Sequence, residues 1–203
     1  MGKYLKEFTT HAEYEAYING GEAILPNVSI CDDQINHVHY NPYVEPVGID
    51  RLTVTYDVQS TSEDTALFDS YYGDTIVGIE IDGVELQTVQ NTYRFNTTGK
   101  HVVKYTFNNP AEIDENCFKP DSVNLYITKY EVPETISYIG YYSFNSSEDK
   151  FDIVMYSTTP PSISYSICDP DKVDNIYVPA ESVDEYKNAQ HWDTYRDKIV
   201  AMP

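Results

Sequence analysis

The chain has 203 residues, of which 41% are hydrophobic, enough for one large or two small domains that could bury roughly 70% of their unfolded surface. Thirteen Lys and Arg face 33 Asp and Glu, a formal charge of -20 that repels nucleic acid and anionic membrane and so excludes both as expected partners. Twenty Tyr within so hydrophobic a chain exclude an acidic disordered tail and, with abundant β-branched residues, predict a mainly β protein.

In chain order, residues 8–21 predict a short helix. Thr10 and Glu13 make a capping box, and Gly20-Gly21 suits the left-handed residue after the last turn. Tyr14, Tyr17 and Ile18 share one face, and a helix this short must dock that face on something. Residues 23–42 predict two strands around a turn at Asp32-Asp33-Gln34. His37 and His39 lie on one face of the second strand, the weak metal candidate of the chain. A zinc site needs a further ligand, for which His11, Asp32 or Asp33 are available but fixed by no spacing, so polar strand residues are expected and no metal or cofactor.

Pro42, Pro46 and Gly48 predict a boundary near residue 45. Beyond it, residues 52–58 alternate as a strand, and segments 76–81 and 84–89 flank Asp82-Gly83, a strong hairpin signal. A turn at 97–100 leads into a strand over 101–107, and strands at such short intervals predict a small β-sandwich over 46–108. From 109 to 203 there is an internal repeat. Ile113 and Phe118 recur as Ile139 and Phe144, each pair preceding a strand, at a solenoid-like period of about 26 residues. Two units cannot bury a core alone, so they are expected to lean on the sandwich as one body, with Phe107 and Pro110 at the junction. At the end, Ile176 and Val178 alternate as a strand, Pro179 stops it, and Val183, Tyr186, Trp192, Tyr195 and Ile199 follow at helical spacing. They predict a small helical cap over the open end of the stack.

No motif places a nucleophile, a phosphate loop or a paired-carboxylate cleft, so no catalytic residue and no enzyme is expected. Cys31, Cys117 and Cys168 are odd in number, without Cys-x-x-Cys spacing, and predict reduced thiols. The first residues lack the apolar core of a signal peptide, which predicts synthesis in a cytoplasm.

Three resemblances add to this reading. Ile81-Asp-Gly-Val84, Tyr93-Arg-Phe-Asn-Thr-Thr-Gly-Lys-His101 and Val103-Lys-Tyr105 resemble the small immunoglobulin-like modules of Bacteroidetes and their phages. Val132-Pro-Glu-Thr-Ile-Ser-Tyr-Ile-Gly-Tyr-Tyr-Ser-Phe144, Ser157-Thr-Thr-Pro-Pro-Ser162 and the segment from Ile176 to Lys187 resemble the last units and terminal cap of BspA-type leucine-rich repeat proteins, over roughly residues 110 to 200. That family usually has Ala where this chain has Cys117 and Ser143. Tyr4-Leu-Lys-Glu-Phe8, His11, Tyr14, Leu25-Pro-Asn-Val-Ser29 and Val38-His-Tyr-Asn-Pro42 resemble the opening of structural proteins of tailed phages of Bacteroidetes, the crAss-like group included.

The expected architecture is an immunoglobulin-like β-sandwich packed against a two-unit leucine-rich-repeat-like solenoid with a helical cap, plus an N-terminal helix and hairpin. The resemblances imply a virion structural protein, decorating a capsid or forming a head fibre, attached through residues 1–45 with Tyr4, Phe8, Tyr14, Tyr17, Ile18 and Tyr40 as contacts. The implied partners are other capsid or fibre proteins, further copies of the chain, and a host surface protein or glycan. The alternative is a bacterial surface or secreted adhesin.

Overall fold

The computed structural model describes residues 51–69, 71, 75–118, 124–145 and 150–203, together with the backbone of two N-terminal strands. The chain divides into two units, Met1–Val47 and Gly48–Pro203. In the first, β1 (Tyr4–Lys6) pairs antiparallel with β2 (Val28–Ile30), Tyr4 opposite Ile30. The helix expected over 8–21, the turn at 32–34, and Phe8, His11, Tyr14, Tyr17, Ile18, His37, His39 and Tyr40 lie outside the described residues.

The second unit is built on one eight-stranded sheet. Its antiparallel half comprises β3 (Leu52–Val58), β5 (Ile76–Ile81), β6 (Val84–Glu85) and β8 (Gly99–Phe107). Its parallel half comprises β10 (Leu125–Val132), β12 (Phe151–Met155), β14 (Val173–Val178) and β15 (Ile199–Ala201). The order is β15-β14-β12-β10-β3-β8-β5-β6, and β10 joins the two halves by pairing antiparallel with β3. A second, short ladder of β9 (Glu112–Ile113), β11 (Tyr138–Ile139) and β13 (Ser162–Ile163) runs parallel throughout. A third pairing, β4 (Thr65–Ala66) with β7 (Thr92–Tyr93), is antiparallel.

Local chemistry accounts for the antiparallel half. Leu52, Val54, Tyr56 and Val58 are buried on one face, and on the other Thr55 and Asp57 are only partly so while Thr53 is covered as well. Asp82 and Gly83 take φ of 50° and 82°, the left-handed pair of a two-residue hairpin that only Asp, Asn or Gly supply cheaply. Gly99 at φ 100° opens β8.

A single buried row crosses all four parallel strands: Tyr130, Ile153, Ile176 and Ile199 are register partners, each 23 residues after the last. The second ladder lines up Ile113, Ile139 and Ile163, all buried. The chain therefore coils between two ladders. It has three rungs where the sequence predicts two repeat units. The third rung is hidden in the sequence because Cys168 stands where Phe118 and Phe144 stand in theirs, as the bonds from Phe118 N–H to Ser143 O (3.0 Å) and from Phe144 N–H to Ile167 O (2.9 Å) align them. A thiol there leaves space that the Tyr195 side chain takes, its hydroxyl 3.8 Å from the sulfur.

One core runs through the unit. Ring contacts lead from Phe68 to Tyr105 (6.2 Å between centroids), Phe118 (4.9 Å), Tyr130 (6.1 Å) and Phe144 (4.4 Å, stacked). Such pairs add roughly 0.5–1.5 kcal/mol each beyond area burial, so the antiparallel strands and the coils are tied by contacts neither could make alone. Gly140 sits where two rungs approach too closely for a side chain. A Cβ there would lie 2.8 Å from the Asp114 carbonyl carbon and closer still to Glu115 N.

Candidate functional site: the capped end of the coil

After β14, Pro179 interrupts the strand, a 3-10 turn (Ala180–Ser182) leads into α1 (Val183–Asn188), and a second 3-10 turn covers Trp192–Tyr195. The spacing predicts a helical Ile199, and the structure corrects this. Ile199 sits in β15, which continues the parallel sheet against β14, because the last turn ends at Tyr195 and the chain is released beside an unpaired strand edge. Tyr186, Trp192, Tyr195 and Ile199 are buried and Val183 is half-buried against the core.

Every rung of a coil needs the next one to accept its outward backbone groups. Where the coil stops, three aromatic side chains take over. The Trp192 indole Nε1 donates to Pro161 O (2.8 Å), and the Tyr186 hydroxyl donates to Ser157 O (2.9 Å). The Tyr195 hydroxyl accepts from Ile167 N–H and Cys168 N–H (3.1 Å each) and donates to Cys168 O (2.7 Å), with Ser166 Oγ 2.7 Å away. Tyr186 packs edge-on against Trp192 at 5.1 Å. Burial pushes the hydroxyls of Tyr186 and Tyr195 well above the usual tyrosine range. The Cys168 thiol is pushed up to about 12 by burial, against the lowering effect of its contact with Tyr195, so it is an inert core group and not a nucleophile.

Beside this cap lies a groove of about 460 Å³, with residues 160–164 on one wall and 189–192 on the other. A shallower, more open cleft shares Pro160 and Ala189 with it and is lined by Thr159, Asp184, Glu185 and Asn188. Tyr165 stands 69% exposed at the groove, its ring 5.7 Å from that of His191. His191 has φ of 68°, in the left-handed region that His, like Asn and Asp, enters more readily than most residues with a side chain. Exposed tyrosines continue along the preceding rung: Tyr138 and Tyr141 are exposed, and the Tyr141 ring lies 4.7 Å from that of Tyr142. By register Tyr141 and Tyr165 hold the same place in successive rungs, two residues after the ladder isoleucine.

A second polar cluster pins the antiparallel strands. His101 Nδ1 lies 2.6 Å from Asp82 Oδ2, and its Nε2 lies 3.0 Å from Thr97 O and 3.2 Å from Thr97 Oγ1. The ring is buried against Phe95 at 4.6 Å, and Asp82 Oδ1 accepts from Val102 N–H at 2.9 Å. Both ring nitrogens are engaged within two turns, so the cluster ties hairpin to hairpin and offers no free base. Among the described residues no three His, Cys, Asp or Glu converge as a metal site requires.

The predicted cap residues thus come together, whereas the predicted attachment residues, apart from the backbone of Tyr4 in β1, lie outside the described residues. Sequence reasoning misses the groove residues Pro160 and His191, and Tyr165 beside them. The signal that could find them is the repeat itself, because recognising Ile163 as a third ladder position puts Tyr165 in line with Tyr141. No family model matches the chain, and no curated protein matches it.

Proposed function

We propose that this chain is a non-enzymatic structural protein of a Bacteroidetes phage virion, capsid-decorating or head-fibre-like, that docks through residues 1–45 and displays its β unit outward. Within that unit we read β3, β5, β6 and β8 as an immunoglobulin-like module and the coils as a BspA-type leucine-rich-repeat-like solenoid. The observation that carries the reading is the construction of Gly48–Pro203. One sheet and one aromatic core run through it, one end is sealed by side chains, and tyrosines stand outward on the coil. A unit closed in that way is built to be presented, and half-exposed tyrosines are low-entropy contact groups for protein or glycan. Attachment then falls to residues 1–45, with Tyr4, Phe8, Tyr14, Tyr17, Ile18 and Tyr40 as the contacts and capsid or fibre proteins, including further copies of the chain, as partners.

Mass spectrometry of purified particles tests the assignment: the chain should co-purify with the capsid at a fixed stoichiometry. Deletion of residues 1–45 should leave a folded product that no longer joins particles, and normal incorporation of the truncated chain would defeat the docking role. The regular 23-residue rows of the coil favour one second reading, a bacterial surface adhesin of the BspA type. It predicts recovery with the cell envelope of an uninfected host instead.

A further inference from the structure

We propose that the groove beside the cap binds a neutral glycan, one ring of which sits between residues 160–164 and 189–192 while the sugar chain leaves along Tyr165. The first observation is the chemistry of the lining. Although the chain has a net charge of -20, the described residues that line the groove include no carboxylate, and their one ionisable side chain is His191. A cationic ligand meets no counter-charge there, and an anionic one is repelled by the protein as a whole. What remains is an uncharged ligand. At about 460 Å³ the groove has the size of a small-molecule site, and like such sites it combines apolar walls with a few polar groups.

Those polar groups suit a ring of hydroxyls. Ser164 Oγ has no partner among the described residues, and Ser162 Oγ, which donates to Ser137 O (3.1 Å), keeps its lone pairs. Gln190 Nε2–H donates to His191 Nε2 (3.1 Å). An amide nitrogen has only protons to give, so the neutral imidazole carries its own proton on Nδ1. Gln190 Oε1 is then left to accept and His191 Nδ1–H to donate, and among the described residues neither has a partner. Pro160, Pro161 and Ala189 supply apolar surface for the C–H face of a pyranose. At the rim Tyr165 is mostly exposed and its ring lies 5.7 Å from that of His191, so it stacks on a second sugar ring at little entropic cost. The site gives the outward tyrosines of the coil a ligand. It rests on the reading of Gly48–Pro203 as a display unit, whether a virion or a cell carries it.

The test is titration of the full chain with cellotriose, chitotriose, maltotriose and mannotriose. It is read by saturation-transfer difference NMR and by the fluorescence of Trp192, the only tryptophan, which lines the groove. Saturable binding of at least one trisaccharide is expected, with a change in the Trp192 emission. Tyr165→Ala should weaken it by about tenfold or more at an unchanged melting temperature, because the ring is mostly exposed. Gln190→Ala should weaken it severalfold by removing an acceptor. A sulfated form of the sugar that binds should bind severalfold more weakly at low salt. No binding of any of the four at millimolar concentration, binding unmoved by both substitutions, or tighter binding of the sulfated form would each overturn the proposal. None of those results bears on whether the chain co-purifies with particles, so the two readings fail separately.

Discussion

The hydroxyl of Tyr195 occupies the place where the backbone of a fourth rung would be, and it answers two N–H groups and one carbonyl there. Tyr195→Phe keeps the ring and removes only those bonds. The cost should be about 1–3 kcal/mol, since Ile167 and Cys168 are left with buried donors unsatisfied. A urea midpoint lowered without a change in slope would show it. Thr53 is the opposite case. Its hydroxyl is buried and has no hydrogen-bond partner among the described residues, between neighbours of β8 and β10. Thr53→Val replaces the unsatisfied oxygen by a methyl of similar size and should stabilise by about 1 kcal/mol in the same measurement. The two residues differ in the value of their oxygen, which only the neighbouring strands reveal.

Among elements, the rungs are constrained more tightly than the antiparallel strands. Ser143 Oγ, buried, lies 2.7 Å from both Asp114 O and Gly140 O and so stitches the first rung to the second. At Gly140 the second rung lies against the backbone of Asp114 and Glu115 in the first. Gly140→Ala should destabilise by about 1–3 kcal/mol, because the obstacle is backbone and cannot rotate away. Gly78, by contrast, faces the side chain of Thr106, which can yield. Substituting both to Ala and comparing melting temperatures separates the effects, and a larger loss at Gly78 would count against the rung packing described. The expected Asp82-Gly83 hairpin and the strand over 52–58 are readable because turn chemistry and a period of two are local. The third rung is not readable, because a cysteine at its aromatic position is explained only by the tyrosine that arrives from the cap, 27 residues later.

At the scale of the whole unit, burial of tyrosine hydroxyls couples stability to alkaline pH. Burial raises Tyr56, Tyr105, Tyr130, Tyr186 and Tyr195 well above the ordinary value of about 10, and it raises Tyr156, with Glu131 beside it, to about 12. The folded state holds these protons more tightly than the unfolded chain does. Their contribution is therefore complete below about pH 10 and is lost as pH rises beyond it through the folded values. Tyrosinate absorbance from the buried set should appear together with the loss of far-ultraviolet circular dichroism, in one step. Tyrosinate appearing across this range with the β signal intact would mean that the aromatic core is open to solvent. One step is expected because Tyr56 and Tyr105 share a 2.7 Å contact on the antiparallel side, while Tyr130 bonds Asn145 O at 2.8 Å on the coil side of the same core.

By itself the sequence determined the mainly β class, the hairpin at Asp82-Gly83, the recurrence of isoleucine and phenylalanine in the coil, and the burial of Tyr186, Trp192 and Tyr195 at its end. Each of these follows from periodicity or turn chemistry within a few residues. Only the tertiary structure decided that β10 pairs with β3, so that the segments before and after residue 108 share one sheet, and that the coil has three rungs. It also decided that Ile199 is a strand residue, paired with Ile176 of β14. Those features depend on partners tens of residues away, and strand edges choose partners by the geometry of the assembled core, which no local pattern encodes.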